Sequence, residues 1–284
     1  MEGFRFVHRV RVRWSEVDPQ AVVFNAHYLS LADVAVTEYW RRLGWPYPCV
    51  PEMFGGDLYM RHVDIDYLAP VRFDDGVDVG LRCARLGNSS LSLEAVMAVD
   101  GRRVNRIGLV YAYADPLEQR AQALPDLLRT TVQAFEAGEP MFHLRLCDWP
   151  EAQPQVAPLR RRVFIEEQGV PEALEWDEDD ARSVHAVMAH RDGRVVATGR
   201  LLPPDAHAQS RIGRMAVERR LRDAGLGRQI IEALMHAARE RGDAGVLLHA
   251  QCRAQGFYER LGFSVRGEPF DETGIAHVEM WRGL

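Results

Sequence analysis

The residues best placed to do chemistry lie between Arg211 and Gly227, in the stretch RIGRMAVERRLRDAGLG. Arg211 to Val217 has the length of a strand, and Arg222-Asp223-Ala224-Gly225-Leu226-Gly227 then supplies two glycines where a backbone must approach a ligand closely. From Gln229 onward Ile230, Ile231, Leu234, Met235 and Ala238 recur at helical spacing as far as Arg241-Gly242, so the glycines open a helix. The N–H groups at such a start are unsatisfied and carry the positive end of the helix dipole, which makes the turn a seat for a phosphate or pyrophosphate. Glycine before a helix is also ordinary turn punctuation, so the motif needs its surroundings to be read. A second reactive candidate is Asp18, in the turn Asp18-Pro19 ahead of another helical run; by itself Asp-Pro is a turn or cap signal.

Several elements must position these groups. Residues 5 to 14 alternate apolar and polar with period two, the pattern of a half-buried strand. Leu29, Leu31, Ala32, Ala35, Tyr39, Trp40 and Leu43 mark a long helix over 26 to 43, closed by Gly44. Further strands are expected near 58 to 67, 76 to 86, 89 to 99 and 103 to 114, and a short amphipathic helix over 125 to 137. Gly138-Glu-Pro140 breaks that helix, which places a domain boundary there: 1–138 and 139–284, with a short linker and no internal repeat. The second half begins with a strand over 142 to 147 and a helix from Ala157 to Gln168, in which Arg160 to Arg162 reads as a solvated face. A hairpin turns at Arg191 to Arg194, and Val246 to Ala250 is a further buried strand.

At 284 residues the chain has room for two domains, each with its own core. A 47% hydrophobic share beside 27% charged residues is that of a water-soluble globular protein, and the apolar runs fall far short of a bilayer span. The N-terminal residues lack a secretory signal, so a cytoplasmic location is expected. A net charge of -6 gives no general attraction to nucleic acid or an anionic membrane. Cys49, Cys83, Cys147 and Cys252 are scattered, which suggests free, buried thiols rather than a metal site or a disulfide framework. All 35 basic residues counted as Lys or Arg are Arg, so Schiff-base chemistry on a protein lysine is excluded.

The strand followed by Arg222-x-x-Gly225-x-Gly227 resembles the acetyl-CoA loop of the GCN5-related N-acetyltransferases (GNAT), and Gly256-Phe-Tyr-Glu-Arg-Leu-Gly-Phe263 resembles their closing helix and strand. Arg162 to Pro171, Glu175 to Asp180, His185 and Asp271 to Met280 resemble the ElaA-like branch. In the N-terminal half, Asp18-Pro-Gln-Ala-Val-Val-Phe24-Asn25-Ala-His-Tyr28 with Asp33, Val63 to Asp75, and Leu86 to Met97 resembles the 4-hydroxybenzoyl-CoA thioesterase group of hotdog proteins, including YbgC-like enzymes. The implied fold is α+β in two domains: an N-terminal hotdog, a curved antiparallel sheet around a long helix, and a C-terminal GNAT α/β domain with a mixed sheet.

The first resemblance implies that Met215, Ala216 and Val217 pair with the pantetheine arm as an added strand would, and that Arg222 to Gly227 take the pyrophosphate. Tyr258 then protonates the departing thiolate, while Glu218, Asp177 and His277 are the candidate bases. The acidic run around Asp177 reads as an exposed loop, with attraction of a cationic amine as the sharper alternative. The second resemblance implies that Asp18 attacks the thioester carbonyl or activates water. Backbone N–H groups near Phe24 or Asn25 polarise its oxygen, and Asn25 and Tyr28 either orient substrate or serve as caps and packing. Gln20-Ala21 stands where many relatives carry Gly-Gly, and Asp33 where many have Glu followed by Arg.

Together these imply a bifunctional enzyme that hydrolyses acyl-CoA and transfers acetyl from acetyl-CoA to a small amine. CoA thioesters enter as co-substrates, and no cofactor is bound permanently. A homodimer or homotetramer through the hotdog domain is expected. The alternative is an acetyltransferase regulated by a non-catalytic, acyl-CoA-binding and dimerising hotdog domain.

Overall fold

In the computed structural model, which describes residues 1–47 and 49–284, the period-two stretches of the first half become a five-stranded sheet. Its strands are β1 (Phe6–Arg11), β2 (Asp57–Tyr67), β3 (Gly76–Leu86), β4 (Ser90–Val99) and β5 (Arg102–Ala114). They pair antiparallel throughout, in the order β1-β3-β4-β5-β2. The long helix α1 (His27–Arg42) lays one face on this sheet against β1 and β3, burying Leu31, Ala32, Ala35, Tyr39 and Trp40, and Val79, Leu81, Leu93, Met97 and Leu109 of the sheet are buried as well. Each such aliphatic side chain contributes about 1.5–3 kcal/mol by leaving water.

The short helix α2 (Cys49–Phe54) is absent from the sequence-based reading because Pro51 looks like a breaker. It falls in the first turn, where its missing N–H costs no hydrogen bond. Helix α3 (Asp126–Glu136) is tied to the same core: the Tyr39 hydroxyl donates to Glu136 at 2.6 Å, and the Cys83 N–H donates to the same carboxylate at 2.7 Å.

Two compact units result, Met1–Met141 and Phe142–Leu284. The division falls just beyond the expected boundary after Gly138, because Arg5 Nη2 donates to the Glu139 carbonyl and the Glu139 N–H to that of Ala134.

The second unit is a mixed sheet in the order β11-β13-β10-β9-β8-β7-β6, with β12 paired to β13. Its strands are β6 (Phe142–Cys147), β7 (Val184–His190), β8 (Val195–Leu201), β9 (Gln209–Val217), β10 (Gly245–Gln251), β11 (Ser264–Val265), β12 (Phe270–Glu272) and β13 (Ile275–Gly283). Helix α4 (Trp149–Arg160) starts earlier than Ala157, capped by the Asp148 carboxylate, and continues as a π-helical turn over Arg161–Glu167. Pro154 and Pro158 hid it from a reading of the sequence, since proline inside a helix ordinarily ends it.

Short helices α5 (Glu172–Glu175) and α6 (Asp179–Arg182) follow. Helix α7 (Leu226–Arg241) buries Ile230, Ile231, Leu234 and Met235 against Val196, Leu201, Ile212 and Val246, and α8 (Gln255–Glu259) carries Tyr258. β9 and β10 are parallel; the other neighbouring strands pair antiparallel.

Three expectations are corrected here. Arg160 is not on a solvated face: it is 1% exposed, and Nε donates to Glu175 at 2.5 Å while both Nη groups reach Asp180 at 2.8 and 3.0 Å. Its guanidinium also lies over the rings of Trp149 and Trp176, at 5.4 and 4.8 Å. The acidic run is therefore not an exposed loop, because Glu175 and Asp180 are buried counter-ions to arginines from three elements. The cysteines are not buried as the sequence suggests: Cys49, Cys83 and Cys147 are half-buried and Cys252 is exposed. Among the described residues no helix is long and apolar enough to cross a membrane, and no group of His, Cys, Asp or Glu is placed to hold a metal ion.

Removing one partner of a buried ion network leaves the others charged and unpaired. Arg160→Met is expected to cost about 3–5 kcal/mol of stability, read as a lowered urea midpoint for the unfolding of the second unit.

Candidate functional site

The parallel pairing of β9 and β10 runs from Gln209–Gly245 to Ile212–Leu248 and stops there. Beyond it β9 continues to Val217 and β10 to Gln251, and among the described residues Gly213 to Val217 have no strand partner on the β10 side. On its other side β9 pairs with β8 through a bulge in which Arg214 takes a left-handed conformation, φ 49°. A cavity of about 450 Å³ borders the gap, and Met215, Tyr258, His249, His277, Asp177 and Gln251 are among the residues lining it.

Tyr258 is 9% exposed, and its hydroxyl has no hydrogen-bond partner among the described residues. Burial pushes its ionisation up to about 12, so the phenol keeps its proton at neutral pH and has it to give. Phe257 and Phe263 meet its ring edge-on and hold it in place.

The expected phosphate seat is a helix start: Gly225 is the N-cap of α7 with φ 82°, and Asp223 is also left-handed at φ 67°. The helix begins at Leu226, one turn ahead of its apolar stripe, so Leu226 and Gly227 lie in the first turn with free N–H groups. A Cβ at Gly227 would touch Phe257 and Val217 at 3.4 and 3.5 Å, and Gly225 faces open space. Arg222 is not free: both Nη groups meet the Glu167 carboxylate at 2.6 Å, and Nε donates to the Val217 carbonyl at 3.3 Å. The same contact holds the Glu167 carboxyl below its usual value. Glu167 lies on the π-helical turn, fifty-five residues from Arg222, and nothing local in the sequence announces the pair.

The three candidate bases separate. Glu218 is outside the cavity lining and is held by Arg162 Nη2 at 3.1 Å and the Arg219 N–H at 3.1 Å. Asp177 lines it, but Arg200 and Arg214 hold both its oxygens at 2.5 to 2.9 Å; burial opposes its charge, yet these guanidiniums keep its carboxyl below the usual value. His277 lines it, 9% exposed, with Nδ1 2.8 Å from the Ile275 carbonyl.

In the first unit, Asp18 sits in a tight reversal. Its N–H donates to the Val22 carbonyl, its carbonyl accepts from the Ala21 N–H, both at 2.9 Å, and its Oδ1 accepts from the Gln20 N–H at 2.8 Å. Its other carboxylate oxygen has no partner among the described residues. Ala21 takes φ 59°, a conformation that glycine adopts without strain and alanine does not. Phe24 is 48% exposed, and its N–H is committed to the Glu16 carbonyl at 2.9 Å, which removes it as an oxyanion donor in this conformation. The Asn25 N–H has no acceptor among the described residues, while the Asn25 side chain accepts from the Ala26 N–H at 2.8 Å, just before α1.

Tyr28 is buried rather than presented to a ligand: its hydroxyl accepts from the Val71 N–H at 3.3 Å, and its ring packs edge-on against Tyr67, whose own hydroxyl donates to the Asn25 carbonyl. Burial raises its pKa. Asp33 is exposed on α1 and has no ion pair among the described residues. It borders a separate cavity of about 200 Å³ with Trp40, Tyr47 and Tyr111, where burial pushes the unpartnered Tyr111 hydroxyl up to about 12.

Residues 149–283 match the model of the acetyltransferase (GNAT) domain, and residues 20–104 match that of the thioesterase superfamily. The chain is 36% identical over 128 residues to the uncharacterized protein YyaT of Bacillus subtilis, covering 44% of this chain and 85% of that protein. It is 35% identical over 125 residues to the uncharacterized N-acetyltransferase YjcF of the same organism, covering 44% and 87%. A solved thioesterase from Thermus thermophilus, complexed with coenzyme A and Zn, is 31% identical with a TM-score of 0.43, covering 49% of this chain and 99% of that one.

The strain at Ala21 is measurable. Ala21→Gly is expected to raise the stability of the first unit by about 1 kcal/mol, read as a higher urea midpoint with an unchanged slope.

Proposed function

Because the chain belongs to the GNAT acetyltransferases through residues 149–283 and to the thioesterase superfamily through residues 20–104, we propose that it is a bifunctional CoA-thioester enzyme. The second unit transfers acetyl from acetyl-CoA to a small amine, and the first hydrolyses acyl-CoA. The observation that carries this reading is the cavity at the β9–β10 gap. An unpaired strand edge, a glycine-capped helix start and a protonated, unpartnered phenol surround the path that a CoA thioester would take.

For transfer, the open edge of Met215 to Val217 receives the amide-bearing pantetheine arm as an added strand. The N–H groups of the loop ending at Gly227 take the pyrophosphate. The neutral amine attacks the acetyl carbonyl, the C–S bond breaks, and the thiolate takes the Tyr258 proton. Arg222 takes part once it exchanges its carboxylate partner Glu167 for phosphate oxygens, a trade between two bidentate contacts of the same kind.

For hydrolysis, the unpartnered oxygen of Asp18 is the nucleophile or the base for water, and the Asn25 N–H ahead of α1 is the remaining donor for the thioester oxygen. One observation favours the second reading, a non-catalytic acyl-CoA-binding first unit: the Phe24 N–H is already taken by Glu16. Self-association is supported by β2, an eleven-residue edge strand whose outer side has no strand partner among the described residues and which exposes Tyr59, Met60 and Tyr67. We place the enzyme in the cytoplasm, with no nucleic-acid or membrane partner.

The test measures thiol release from short, aromatic and long acyl-CoAs without amine, then from acetyl-CoA with a panel of amines. Asp18→Asn is expected to lower the first activity at least about 100-fold and leave the second unchanged, and Tyr258→Phe to do the reverse. Binding of acyl-CoA without hydrolysis by the wild type would sink the thioesterase half and support the regulatory reading. Loss of both activities on either substitution would refute separate sites.

A further inference from the structure

An alkylamine is protonated at neutral pH and has no lone pair to attack with, so the cavity must hold a group that takes a proton from the acceptor. The basic groups that line it are Glu175, Asp177, Glu272, His249 and His277. Glu175 is buried against Arg160 and Arg214, and Asp177 is held by Arg200 and Arg214. Burial pushes the Glu175 carboxyl above its usual value, but one of its oxygens already meets Arg160 and the other Arg214, and protonating either carboxylate would leave buried guanidiniums without their counter-charge. His249 lies between two carboxylates, with Nδ1 3.5 Å from Glu272 and Nε2 3.9 Å from Glu279, so both its nitrogens face negative charge and Glu272 is shared with it.

His277 differs from all of these. Its Nδ1 lies 2.8 Å from the carbonyl oxygen of Ile275, and a carbonyl oxygen only accepts, so Nδ1 carries the hydrogen. That leaves Nε2 as the bare, basic nitrogen. It has no partner among the described residues, and it belongs to a ring that lines the cavity. The ring is fixed by its stacking on Phe270, 6.1 Å between centroids and 26° between planes, and by its place opposite Gln251 in the β10–β13 register. Here one nitrogen is anchored to the backbone, and the other is kept unpaired beside the Tyr258 phenol's cavity.

On the acetyltransferase reading above, we infer that His277 is the general base for the acceptor amine. Its Nε2 takes one proton from the ammonium, and the freed lone pair forms the C–N bond as the C–S bond breaks. The sulfur leaves with the Tyr258 proton, after which the imidazolium and the phenolate return to their starting states by exchange of one proton, directly or through water. The amine's second proton is lost to solvent with the product amide, so the sum is acetyl-CoA plus ammonium giving amide, CoA thiol and one proton. The acceptor class that needs this base is a basic primary amine.

The experiment compares two acceptors of similar size in the Asp18→Asn background, which removes hydrolysis by the first unit: benzylamine, protonated at neutral pH, and aniline, already neutral. His277→Asn keeps an N–H donor near the Nδ1 position for the Ile275 carbonyl and removes the Nε2 lone pair; His277→Gln is the second variant, placing an amide at the far position. Each is expected to lower kcat/KM for benzylamine about 100-fold while changing that for aniline less than about threefold. Equal loss with both amines, or no loss with benzylamine, would overturn the base role. A fold-independent measurement accompanies it: in the wild type, mapped carbethoxylation at His277 should be faster than at His249 and slowed by saturating acetyl-CoA. A slow, unprotected His277 would likewise overturn the assignment. A wild type that releases thiol with neither amine, yet shows that protection, would overturn the acetyltransferase reading, and the base role with it.

Discussion

The second unit depends on two parallel strands that pair for four residues and then part. The last ladder step joins Ile212 to Leu248, and beyond it β9 keeps, among the described residues, its β8 neighbour alone. Backbone groups on an open strand edge must be met by something, since unpaired N–H and C=O groups away from water are costly. The gap is held by the ion network beside it. Arg200 pairs across the sheet with Gly213, the first residue past the last step, and its guanidinium is fixed to Asp177 and Asp180. Arg214, at the bulge, reaches Glu175 and Asp177, and Arg160 joins Glu175 to Asp180 from α4. Four arginines, counting Arg211, face Glu175, Asp177, Asp179 and Asp180, so the wall is rigid and nearly neutral.

Both units prepare a helix start beside their reactive groups, by different means. At α7 the chain reaches the helix through Gly225, whose left-handed conformation costs nothing without a Cβ, and the first-turn N–H groups stay open. At α1 the approach is through the Asp18–Val22 reversal and Asn25, and much of the hydrogen-bonding capacity is used internally: the Phe24 N–H by Glu16, the Ala26 N–H by Asn25, and the Tyr28 hydroxyl by Val71. The second unit is the one that keeps more spare donors. The other retains one carboxylate oxygen on Asp18 and one N–H on Asn25, which is the minimum that attack on a thioester requires.

Much of this was readable from the chain alone. The strand-to-helix passage from Arg211 to Gly227, the long helix and the period-two strands of the first half follow from local spacing, because apolar periodicity and glycine punctuation act over a few residues. Where sequence reasoning failed, a local rule was overridden by a distant partner. Pro154 and Pro158 stand inside a helix, Arg160 is buried in a run of three arginines, and the acidic stretch from Glu175 is a counter-ion set rather than a solvated loop. Glu167 and Arg222, far apart in the chain, meet only once the π-helical turn lies beside the loop that opens α7.

The sequence by itself determined which families the two halves belong to and which residues are chemically capable, since those depend on residue type and short spacing. Tertiary structure decided which of them are available. Asp177, Glu218 and His277 are equal candidates on paper, and they are distinguished by their neighbours: two guanidiniums on the first, Arg162 and a backbone N–H on the second, and a carbonyl that fixes the tautomer of the third. Proton affinity and hydrogen-bond capacity are properties of a group in its surroundings, and those surroundings are assembled from strands and helices that no short stretch of sequence contains.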